Sequence, residues 1–560
     1  MILIFGGTTE GRLAIDVLEE AGKVFYYSTK GSGQDVLLHN GVRISGAMTS
    51  DDIKRFCIEH DIKCIVDAAH PFAEGLHLSV AESGMPVIRL ERHYPENVEG
   101  VIYLKDWNEA VNKIESRKLL ALSGVNTIAK LKDYWKENET LFRILNRDDS
   151  LDLVKHNDFP EDKLLFYPSS MPTKEEEKEM MKECGCDAIL TKESGESGGF
   201  KTKVEAALEL GLKVYVVRRP SLPKHWITVD GKYTLRRAVQ NLVPDFFPLK
   251  TGLTTGACAT AATKAALLSL LNEEYPSEVS FSLPDGENLS VTVDCANPGI
   301  ASVIKESSDD PDVTKGCKIT SEVCLRNDDE IRFLQGEGVG VVTLPGLGIP
   351  VGEPAINPTP RSMMISEIRQ LTDKGVDVKI SVENGRELWS HTFNNKVGVV
   401  DGISIIGTSG IVSPLSNEAF VESIGRELQV AKAIGCKEIG FASGKKGENA
   451  LKDAEPNLRV IHYGNFVGDA LKKAHELGFQ RVVIGIMIGK AIKLADGHLN
   501  THSHVVEADL SKYGVKMARE LWDVMPPSFF DEVVQNCEKH CRTVFPDGEL
   551  KVKLIKDTTI

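Results

Sequence analysis

The chain has 560 residues and a formal net charge of −15, and 42% of its residues are hydrophobic. This length predicts three or four folding units with packed cores. The acidic balance disfavours general binding to nucleic acids and docking on anionic membranes. The 11 cysteines show no disulfide-like spacing, and no uncharged apolar stretch approaches the ~18 residues of a membrane span, so we expect a cytoplasmic protein.

The first predicted strand, Ile2–Phe5, leads through a glycine turn into a helix over Gly11–Glu20. Glycines in such a turn let the backbone approach a pyrophosphate, and the helix N-terminus offers it free N–H groups. The turn therefore predicts a dinucleotide site, and its candidate contacts are Gly6, Gly7, Thr8, Thr9, Gly11 and Arg12. Because the glycine spacing is not the usual G-x-G-x-x-G, a tight turn without a ligand is the alternative.

The second predicted strand, Val24–Ser28, does not end in the acidic residue that commonly binds a ribose diol. Ser28 and Lys30 could instead contact a ribose phosphate. The sequence therefore predicts NADH or NADPH as the cofactor and leaves the choice between them open.

Further predicted strands alternate with helical segments through the first half of the chain. They lie at Cys64–Asp67, Val87–Leu90, Leu119–Ser123, Leu164–Tyr167, Ala188–Thr191 and Val214–Val217. This rhythm is typical of parallel sheets with crossover helices. We predict two Rossmann-like lobes, formed by residues 1–115 and 116–243.

His70 follows the predicted strand Cys64–Asp67. Ligands of open α/β sheets bind at the carboxyl ends of strands, so we expect His70 near a nicotinamide. It could then supply the proton that accompanies a hydride, since its unperturbed pKa is near neutrality. In the alternative interpretation, His70 and Pro71 only shape the loop and solvent supplies the proton.

Polar and cationic side chains of the predicted second lobe could hold the carboxylates of a substrate. A single lysine is more often a solvated surface charge, so the prediction depends on the grouping. The candidates are Arg143, Lys192, Ser194 and Lys203.

Three segments of this half together resemble the precorrin-6A reductases. They are Phe5-Gly-Gly-Thr-Thr-Glu-Gly-Arg12, Asp67-Ala-Ala-His-Pro-Phe-Ala73, and Lys192-Glu-Ser-Gly195 with the later Lys203-Val-Glu-Ala-Ala207. The resemblance covers residues 1 to about 240. It implies a two-lobed reductase that transfers a hydride from a nicotinamide nucleotide to a corrin precursor.

The pattern changes after a linker at residues 244–250, where Pro244 and Pro248 stop any helix. Residues 251–420 contain many Gly and Pro turns and short strands, which predicts an α+β domain. From residue 421 to the end at 560 we predict an α/β subdomain. Its strands lie near Glu438–Ala442, Arg459–Tyr463 and Arg481–Ile486, and its mainly helical tail ends in a strand at Val552–Ile555.

A polar glycine turn at Lys250–Gly256 leads into an alanine-rich helix, and Thr254, Thr255 and Gly256 could bind a cofactor there. The alternative is a capped helix that packs tightly through its alanines. Asn465 and Asp469 follow a predicted strand and could reach a ribose. The acidic segment Asp309-Asp-Pro-Asp312 could orient a cation such as a sulfonium, or could be a solvated loop.

Five segments of the second half closely resemble the cobalt-precorrin-5B C-1 methyltransferases. They are Thr251-Gly-Leu-Thr-Thr-Gly-Ala-Cys-Ala259, Asp309-Asp-Pro-Asp-Val-Thr314, Gly336-Glu-Gly-Val-Gly340, Ala355-Ile-Asn-Pro358 and Thr501-His-Ser503. The resemblance implies S-adenosyl-L-methionine as the methyl donor and a cobalt tetrapyrrole as the acceptor. One departure concerns Ile486-Met-Ile-Gly-Lys490, because a Gly-His-Ile-Gly-Lys run is expected in the family.

The acceptor implied by this resemblance carries many carboxylates, which cationic and hydroxyl side chains could hold. We predict Lys490 and His502 as catalytic residues, and Arg361, Lys493, Thr501 and Ser503 as substrate contacts. Two clusters could bind a metal, but each lacks a matching second pair at zinc-finger spacing, so no metal site is predicted. These clusters are His498, His502 and His504, and Cys537, His540 and Cys541.

The sequence therefore predicts a bifunctional enzyme of corrin ring synthesis. It would methylate cobalt-precorrin-5B at C-1 and then reduce cobalt-precorrin-6A to cobalt-precorrin-6B. The alternatives are the same two reactions on a different tetrapyrrole, or a non-catalytic protein that senses nucleotides. The expected partner is a small tetrapyrrole and not a nucleic acid or a membrane, and homo-oligomer formation stays open.

Overall fold

The computed structural model describes residues 1–31, 36–91, 94, 97–168, 172–194, 199–306, 308–414, 416–503 and 505–556. The chain divides into two compact units, Met1–Pro248 and Leu249–Ile560. Within the described ranges, every α-helix is too short or too polar to cross a bilayer.

Short strands and helices alternate through the first unit. In chain order they are β1 (Ile2–Phe5), α1 (Thr9–Glu19), β2 (Phe25–Thr29), β3 (Gly41–Ser45), α2 (Ser50–Glu59), β4 (Cys64–Asp67), α3 (Glu74–Glu82), β5 (Val87–Leu90), β6 (Val101–Leu104), α4 (Trp107–Lys113), β7 (Lys118–Ala121), α5 (Thr127–Lys130), α6 (Lys132–Trp135), β8 (Glu139–Ile144), α7 (Asp148–His156), β9 (Leu164–Phe166), α8 (Lys174–Cys184), β10 (Ala188–Lys192), α9 (Phe200–Glu209), β11 (Lys213–Val217), β12 (Ile227–Val229) and α10 (Lys232–Leu242).

Two six-stranded parallel sheets form the first unit, with strand orders β12-β5-β4-β1-β2-β3 and β6-β11-β10-β7-β8-β9. Helices cover both faces, so the central strands are apolar on both sides. In β1, Ile2 and Ile4 belong to one core cluster while Leu3 and Phe5 belong to another. Continuous burial of this kind is characteristic of parallel strands with crossover helices.

The division between the two lobes differs from the predicted boundary near residue 115. Strand β6 lies in the second sheet, where Val101 pairs with Val214 of β11. After β11 the chain returns to the first sheet, because Ile227 of β12 pairs with Ile88 of β5, and α10 then packs against α1. The first lobe is therefore closed by a segment that follows the second lobe, which a linear division of the sequence cannot represent.

The second unit begins with a long helix and many short strands. In chain order its elements are β13 (Gly252–Leu253), α11 (Thr255–Leu271), β14 (Glu278–Ser282), β15 (Asn288–Thr292), β16 (Asp294–Asn297), β17 (Ile300–Ile304), β18 (Lys318–Leu325), β19 (Ile331–Gln335), β20 (Val341–Val342), α12 (Pro358–Leu371), β21 (Val376–Val382), α13 (Gly385–Trp389), β22 (Val399–Val400), β23 (Ile411–Val412), α14 (Asn417–Ala433), β24 (Glu438–Ala442), α15 (Lys445–Ala454), β25 (Val460–His462), α16 (Val467–Glu476), β26 (Arg481–Met487), α17 (Ile488–Ala495), α18 (Leu521–Val524), α19 (Pro527–Cys541) and β27 (Glu549–Ile555).

The α+β part is built around α11, whose residues are nearly all buried. This helix packs against α12 and against the mixed sheet β16-β17-β18-β21-β19. Along β21 the residues alternate between buried and half-buried, as expected for a strand with one face on the core. The prediction of a mixed fold with α/β and α+β regions is confirmed.

The α/β part contains a parallel sheet of order β25-β24-β26-β27. Helices α14, α16, α17 and α19 enclose a large apolar cluster on one face, which includes Phe441 and Ile484. Helix α15 covers the other face, where Leu451 meets Val460 and Val483. The parallel arrangement places the ends of β24, β25 and β26 along one edge of the sheet.

Candidate active sites

The glycine turn of the first unit is built around the buried side chain of Tyr27 in β2. The N–H of Gly7 donates to the Tyr27 hydroxyl over 3.0 Å, and the N–H of Gly6 donates to the carbonyl of Ser28 over 3.0 Å. A Cβ on Gly6 would lie 2.2 Å from the Tyr27 ring, and one on Gly11 would lie 2.9 Å from Gly6 Cα. These glycines are thus required for packing inside the turn, and sequence reasoning missed Tyr27.

The predicted nucleotide contacts of this turn separate into two groups. Thr8 accepts from the N–H of Gly11 over 3.1 Å and donates to the carbonyl of Ala68 over 2.7 Å, so its hydroxyl serves the fold. Ser28 is 2% exposed, which corrects its assignment as a phosphate contact. The residues with exposed surface at the start of α1 are Gly7, Thr9 and Arg12.

The loop that carries His70 rests on a buried charge network. Asp67, at the end of β4, lies 2.7 Å from Nδ1 of His77 and 2.9 Å from Nη1 of Arg89. Burial opposes ionisation of Asp67, but the hydrogen bond from His77 and the charge of Arg89 outweigh it and hold the pKa of the carboxyl below its usual value. Arg89 also donates to the Ala69 carbonyl, and His77 Nε2 lies 3.1 Å from the His70 carbonyl oxygen.

His70 itself is exposed at the mouth of the first sheet. Its ring centroid is 6.0 Å from that of Phe72, and the Phe72 ring also meets the Lys192 ammonium at 5.3 Å. Burial, together with the charges of Lys203 and Lys130, lowers the pKa of Lys192 to about 8. The fold therefore brings His70 of one sheet and Lys192 of the other to the same aromatic ring, that of Phe72.

The assignment of Arg143 as a substrate contact is corrected. Its guanidinium lies 2.6 Å from the Glu177 carboxylate, and the two residues are 3% and 1% exposed. Tyr167 stacks on the Arg143 guanidinium at 4.1 Å and meets the Lys203 ammonium at 5.2 Å, with Lys203 only 7% exposed. Ser194 is half-buried at the end of the described segment, and residues 195–198 of the predicted motif lie outside the described residues.

A cavity of about 370 Å³ lies beside the His70 loop and includes Pro71, Glu91 and Glu193. Two arginines line it that sequence reasoning did not single out. Arg218 lies 3.8 Å from Glu193, and Arg219 lies 3.9 Å from Glu91. Both follow β11, so their position at the carboxyl end of a parallel strand was the available signal.

In the second unit, the threonine-glycine motif at the start of α11 is engaged by the protein itself. Thr254 caps the helix by accepting from the N–H of Ala257 over 3.1 Å, and Thr255 accepts from the N–H of Ile406 over 2.8 Å. The N–H of Gly256 donates to the Ile406 carbonyl, and a Cβ on Gly256 would lie 2.6 Å from Pro360. The assignment of Thr254, Thr255 and Gly256 as cofactor contacts is therefore corrected in favour of a packed, capped helix.

Two further charged candidates are also committed to the fold. Arg361 donates to the carbonyls of Ile356 and Pro354 and pairs with Glu353 at 2.7 Å, which corrects its assignment as a substrate clamp. In the acidic segment, Asp312 pairs at 2.6 Å with Lys305, which is 1% exposed. That carboxylate neutralises a buried ammonium and does not face a ligand.

The predicted residues after β25 and β26 do converge. Lys490 of α17 donates to the Gly464 carbonyl over 2.7 Å, and Lys493 donates to the Thr501 carbonyl over 3.3 Å. The N–H of Thr501 in turn donates to the Asn465 carbonyl over 2.9 Å. Burial, with a contribution from Lys493, lowers the pKa of Lys490. Three loops therefore meet at the carboxyl edge of the sheet, where substrates of α/β folds bind.

The other predicted residues of this segment differ in exposure. Thr501 is 2% exposed, so its hydroxyl faces the interior and not a substrate. His502 is half-buried, and its backbone N–H donates to Oδ1 of Asn500 over 3.0 Å. Ser503 is exposed. His504 lies outside the described residues.

A cavity of about 770 Å³ adjoins this edge through Phe466, Asp469 and Asn500. Its opposite wall comes from α12 and α14, where Glu422 and Arg426 pair at 2.6 Å. The remaining charged and amide groups of the lining include Asn357, Asn417, Gln429, Lys472 and Lys473. Sequence reasoning included Asn357 only within the Ala355–Pro358 segment. It missed the others because they lie on outward-facing positions of amphipathic helices, where polar side chains are the norm.

No group of three His, Cys, Asp or Glu residues that could hold a metal ion occurs in the portion of the chain that the structure describes. Cys537 and Cys541 are fully buried, and Cys537 Sγ donates to the Ala491 carbonyl over 3.2 Å.

Comparison with known proteins finds two families side by side. Residues 1–241 match the family described as precorrin-6x reductase CbiJ/CobK, and residues 244–414 match the CbiD family. A cobalt-precorrin-5B C(1)-methyltransferase of Prosthecochloris aestuarii is 40% identical over 345 residues, which are 55% of this chain and 94% of that protein. A protein of the same name from a Thermoanaerobacter species is 44% identical over 267 residues, which cover 46% of this chain and 73% of the relative.

Solved structures similar to the chain carry the same two names. The crystal structure of the cobalamin biosynthesis protein cbiD from Archaeoglobus fulgidus is 29% identical, with a TM-score of 0.27, and the match covers 48% of this chain and 86% of that one. A CobK precorrin-6A reductase structure is 19% identical, with a TM-score of 0.35, and covers 43% and 97% of the two chains.

We expect Arg143→Met to destabilise the second lobe by roughly 3–5 kcal/mol, because it leaves the Glu177 carboxylate buried without its partner. Lys201→Met is the control, since the Lys201 side chain is 74% exposed and its removal should cost less than about 1 kcal/mol. Amide hydrogen exchange of β8 in the full-length chain measures the loss of stability in each of the two variants. Unchanged protection of β8, combined with a loss of tetrapyrrole affinity, would restore Arg143 as a substrate contact.

Gly256→Ala should destabilise the α+β part by about 1–3 kcal/mol, because the new methyl group overlaps Pro360. Gly425→Ala is the matched helical control. Its nearest neighbour lies 3.9 Å away, and alanine favours a helix over glycine by up to about 1 kcal/mol. Denaturant unfolding of both variants tests this. A Gly256→Ala protein of normal stability that has lost affinity for the methyl donor would contradict the packing role.

Proposed function

The chain is a fusion of a precorrin-6x reductase of the CbiJ/CobK family with a member of the cobalt-precorrin-5B C(1)-methyltransferase family, two enzymes of cobalamin biosynthesis, and from this premise we propose that it catalyses two consecutive steps. The second unit methylates cobalt-precorrin-5B at C-1 with S-adenosyl-L-methionine as donor. The first unit then reduces the product, cobalt-precorrin-6A, with NADH or NADPH.

The observation that carries the methyl-transfer proposal is the convergence of the Lys490, Lys493 and Asn465 loops at one sheet edge, whose neighbours Phe466 and Asn500 line the 770 Å³ cavity. S-Adenosyl-L-methionine, when bound, supplies an electrophilic methyl group on a cationic sulfur. Asp469 stands at the cavity wall near Asn500, where a carboxylate suits a ribose or a sulfonium. Displacement at a methyl carbon depends mainly on alignment of donor and acceptor, so a rigid edge built from three loops fits the task.

The lysines of this edge are suited to the acidic acceptor. Lys490 and Lys493 each have backbone carbonyls as their nearest partners, and carbonyls do not neutralise a positive charge. Partial burial strengthens the interaction of such an ammonium with a carboxylate. We assign both as orienting cations for tetrapyrrole carboxylates, with His502 and the exposed Ser503 beside them.

In the reductase unit, a nicotinamide nucleotide supplies the hydride when bound. Gly7, Thr9 and Arg12 at the start of α1 are the proposed contacts of its pyrophosphate, since these residues are exposed at the positive end of the helix dipole. His70, exposed above the same sheet, is the proposed proton donor. Lys192, together with the half-buried Ser194, is the proposed contact for substrate carboxylates, which is supported by its lowered pKa beside the Phe72 ring.

The experiment that tests the proposal uses the full-length protein with methyl-labelled S-adenosyl-L-methionine and cobalt-precorrin-5B. We expect the label to appear in the tetrapyrrole, and NADH or NADPH added afterwards should convert the methylated product to a reduced one. Absence of label from every tetrapyrrole offered would indicate a nucleotide-sensing protein without catalysis. Label that appears only in another tetrapyrrole would contradict the proposed substrate.

Gly6→Ala should separate the two activities. The added methyl group would lie 2.2 Å from the Tyr27 ring, whose hydroxyl holds the N–H of Gly7, so the turn must deform. We expect the affinity for the nicotinamide nucleotide to fall by at least about tenfold, or ~1.4 kcal/mol, with methyl transfer unchanged.

The matched control is Gly31→Ala. Gly31 follows β2 at the same edge of the sheet, and there is open space around the new methyl group. It should bind the nucleotide like the wild type. Equal nucleotide affinities for Gly6→Ala and the wild type would rule out the glycine turn as the nucleotide site.

A further inference from the structure

A histidine that no sequence motif singled out ends β25 in the second unit. Nε2 of His462 lies 3.0 Å from Oε2 of Glu448 on α15. Glu448 is 4% exposed, whereas the imidazole retains 24% of its side-chain exposure. An imidazole that is anchored on one side and reaches solvent on the other has the arrangement of a general base with its orienting carboxylate.

Glu448 is held as an anion. Lys452 lies 2.6 Å from one of its oxygens, and Lys445 lies 3.0 Å from the other. Burial alone would raise its pKa, but these two ammonium groups and His462 hold the pKa at about 2. A carboxylate in this state can only accept hydrogen bonds, so the shared proton belongs to Nε2 of His462.

This tautomer leaves a lone pair on Nδ1 of His462. Among the described residues, Nδ1 has no hydrogen-bond partner. The charged groups around the ring are Glu448 and Lys445 of α15, and Lys396 of the short 3-10 helix Asn394–Val397, with Glu427 of α14 and Arg459 near Lys396. Burial and the charge of Lys396 outweigh Glu448 and lower the pKa of His462 below its ordinary 6.5, so the ring is neutral at pH 7.

The backbone of His462 ends β25 at the same sheet edge as the proposed methyl-transfer site, with its ring on the face that α15 covers. Its register partner on β24 is Ala442, which pairs on the other side with Gly485 of β26, so the three residues form one row across the sheet. Two residues after His462, the carbonyl of Gly464 receives the Lys490 ammonium. Lys490 acts as a hydrogen-bond donor there, whereas Nδ1 of His462 has a lone pair that can accept a proton.

We propose that His462 is a further catalytic residue of the methyl transfer, acting as the base that removes a proton from the tetrapyrrole, with Glu448 as its positioning residue. The inference rests on the proposed methyltransferase function. In the step, the ring carbon forms a bond to the methyl carbon, the carbon–sulfur bond breaks, and the electron pair of that bond leaves with S-adenosylhomocysteine. The proton released by the macrocycle is taken by Nδ1, so charge and atoms balance.

The test compares His462→Gln with the wild type in the full-length chain, with cobalt-precorrin-5B and S-adenosyl-L-methionine as substrates. We expect kcat for methylation to fall by about 10²–10⁴-fold, as for loss of a general base, with KM within about threefold. His391→Gln is the control, because His391 is exposed and lies outside the proposed site. Binding of S-adenosyl-L-methionine reports that the second unit of the variant is folded.

The pH profile distinguishes a base from a structural group. Because the pKa of His462 lies below 6.5, wild-type activity should be full at pH 7 and fall as the pH drops through that pKa. This acid limb of the pH–activity profile should vanish in His462→Gln. In Glu448→Gln it should move to lower pH, since loss of the anion lowers the pKa of the imidazole further, and kcat should fall about tenfold or more.

An unchanged kcat in His462→Gln, or an acid limb that persists in it, would overturn the inference while leaving the methyltransferase assignment intact. Failure of the proposed function is a separate outcome, because the wild-type protein itself would then transfer no methyl group. If His462→Gln does not fold, the pH profile of Glu448→Gln decides alone. A limb that stays at the wild-type pH would count against the base.

Discussion

Parallel strand pairing is the constraint on which both candidate sites depend. Strands that run in the same direction bring their carboxyl ends to one edge, and the connecting helices begin there with unsatisfied N–H groups. In the first unit this constraint gathers the glycine turn after β1 and the His70 loop after β4, which lie next to each other because Ile4 pairs with both Tyr27 and Val66. In the second unit it gathers the loops after β24, β25 and β26.

At each edge a few buried polar groups fix the loops in place. Thr8 joins the glycine turn to the His70 loop through the carbonyl of Ala68, and Asp67 anchors the same loop through His77 and Arg89. A buried carboxylate without such partners would cost several kcal/mol, so the network and the loop conformation stabilise each other. The exposed His70 ring is fixed as well, because the N–H of Phe72 donates to its Nδ1 over 3.2 Å.

Sequence patterns predicted the apolar parallel strands well, because a run such as Ile2–Phe5 or Cys64–Asp67 is buried on both faces and is easy to recognise. They missed β18 and β21, which alternate between buried and half-buried residues and lie among Gly and Pro turns. They also misplaced the lobe boundary, since the pairing of β12 with β5 joins residues more than a hundred positions apart. Pairing partners of this kind are set by tertiary structure and leave no local signal.

The same limit explains why the predicted site residues have such different surroundings in the structure. Lys490 was recognised because it follows a strong strand, but Arg143 was misassigned because its partner Glu177 lies 34 residues away on another element. His462 was missed because the carboxylate that orients it lies 14 residues earlier, on α15. The chemistry of a charged side chain depends on its neighbours in space, and its sequence context gives only the strand or helix that carries it.

Charge pairing then separates cations that build the fold from cations that are available to a substrate. Arg143 and Lys305 each meet a carboxylate within 2.6 Å in the interior, so a substrate would have to displace a buried anion to reach them. Lys192 and Lys490 are partly desolvated without an ion pair in the described structure, which is why the pKa of each is lowered. A carboxylate that binds beside either ammonium would restore the interaction that burial has removed. The carboxylate-bearing acceptor that we propose for both units would therefore bind where the described structure leaves a positive charge uncompensated, as at Lys192 and Lys490.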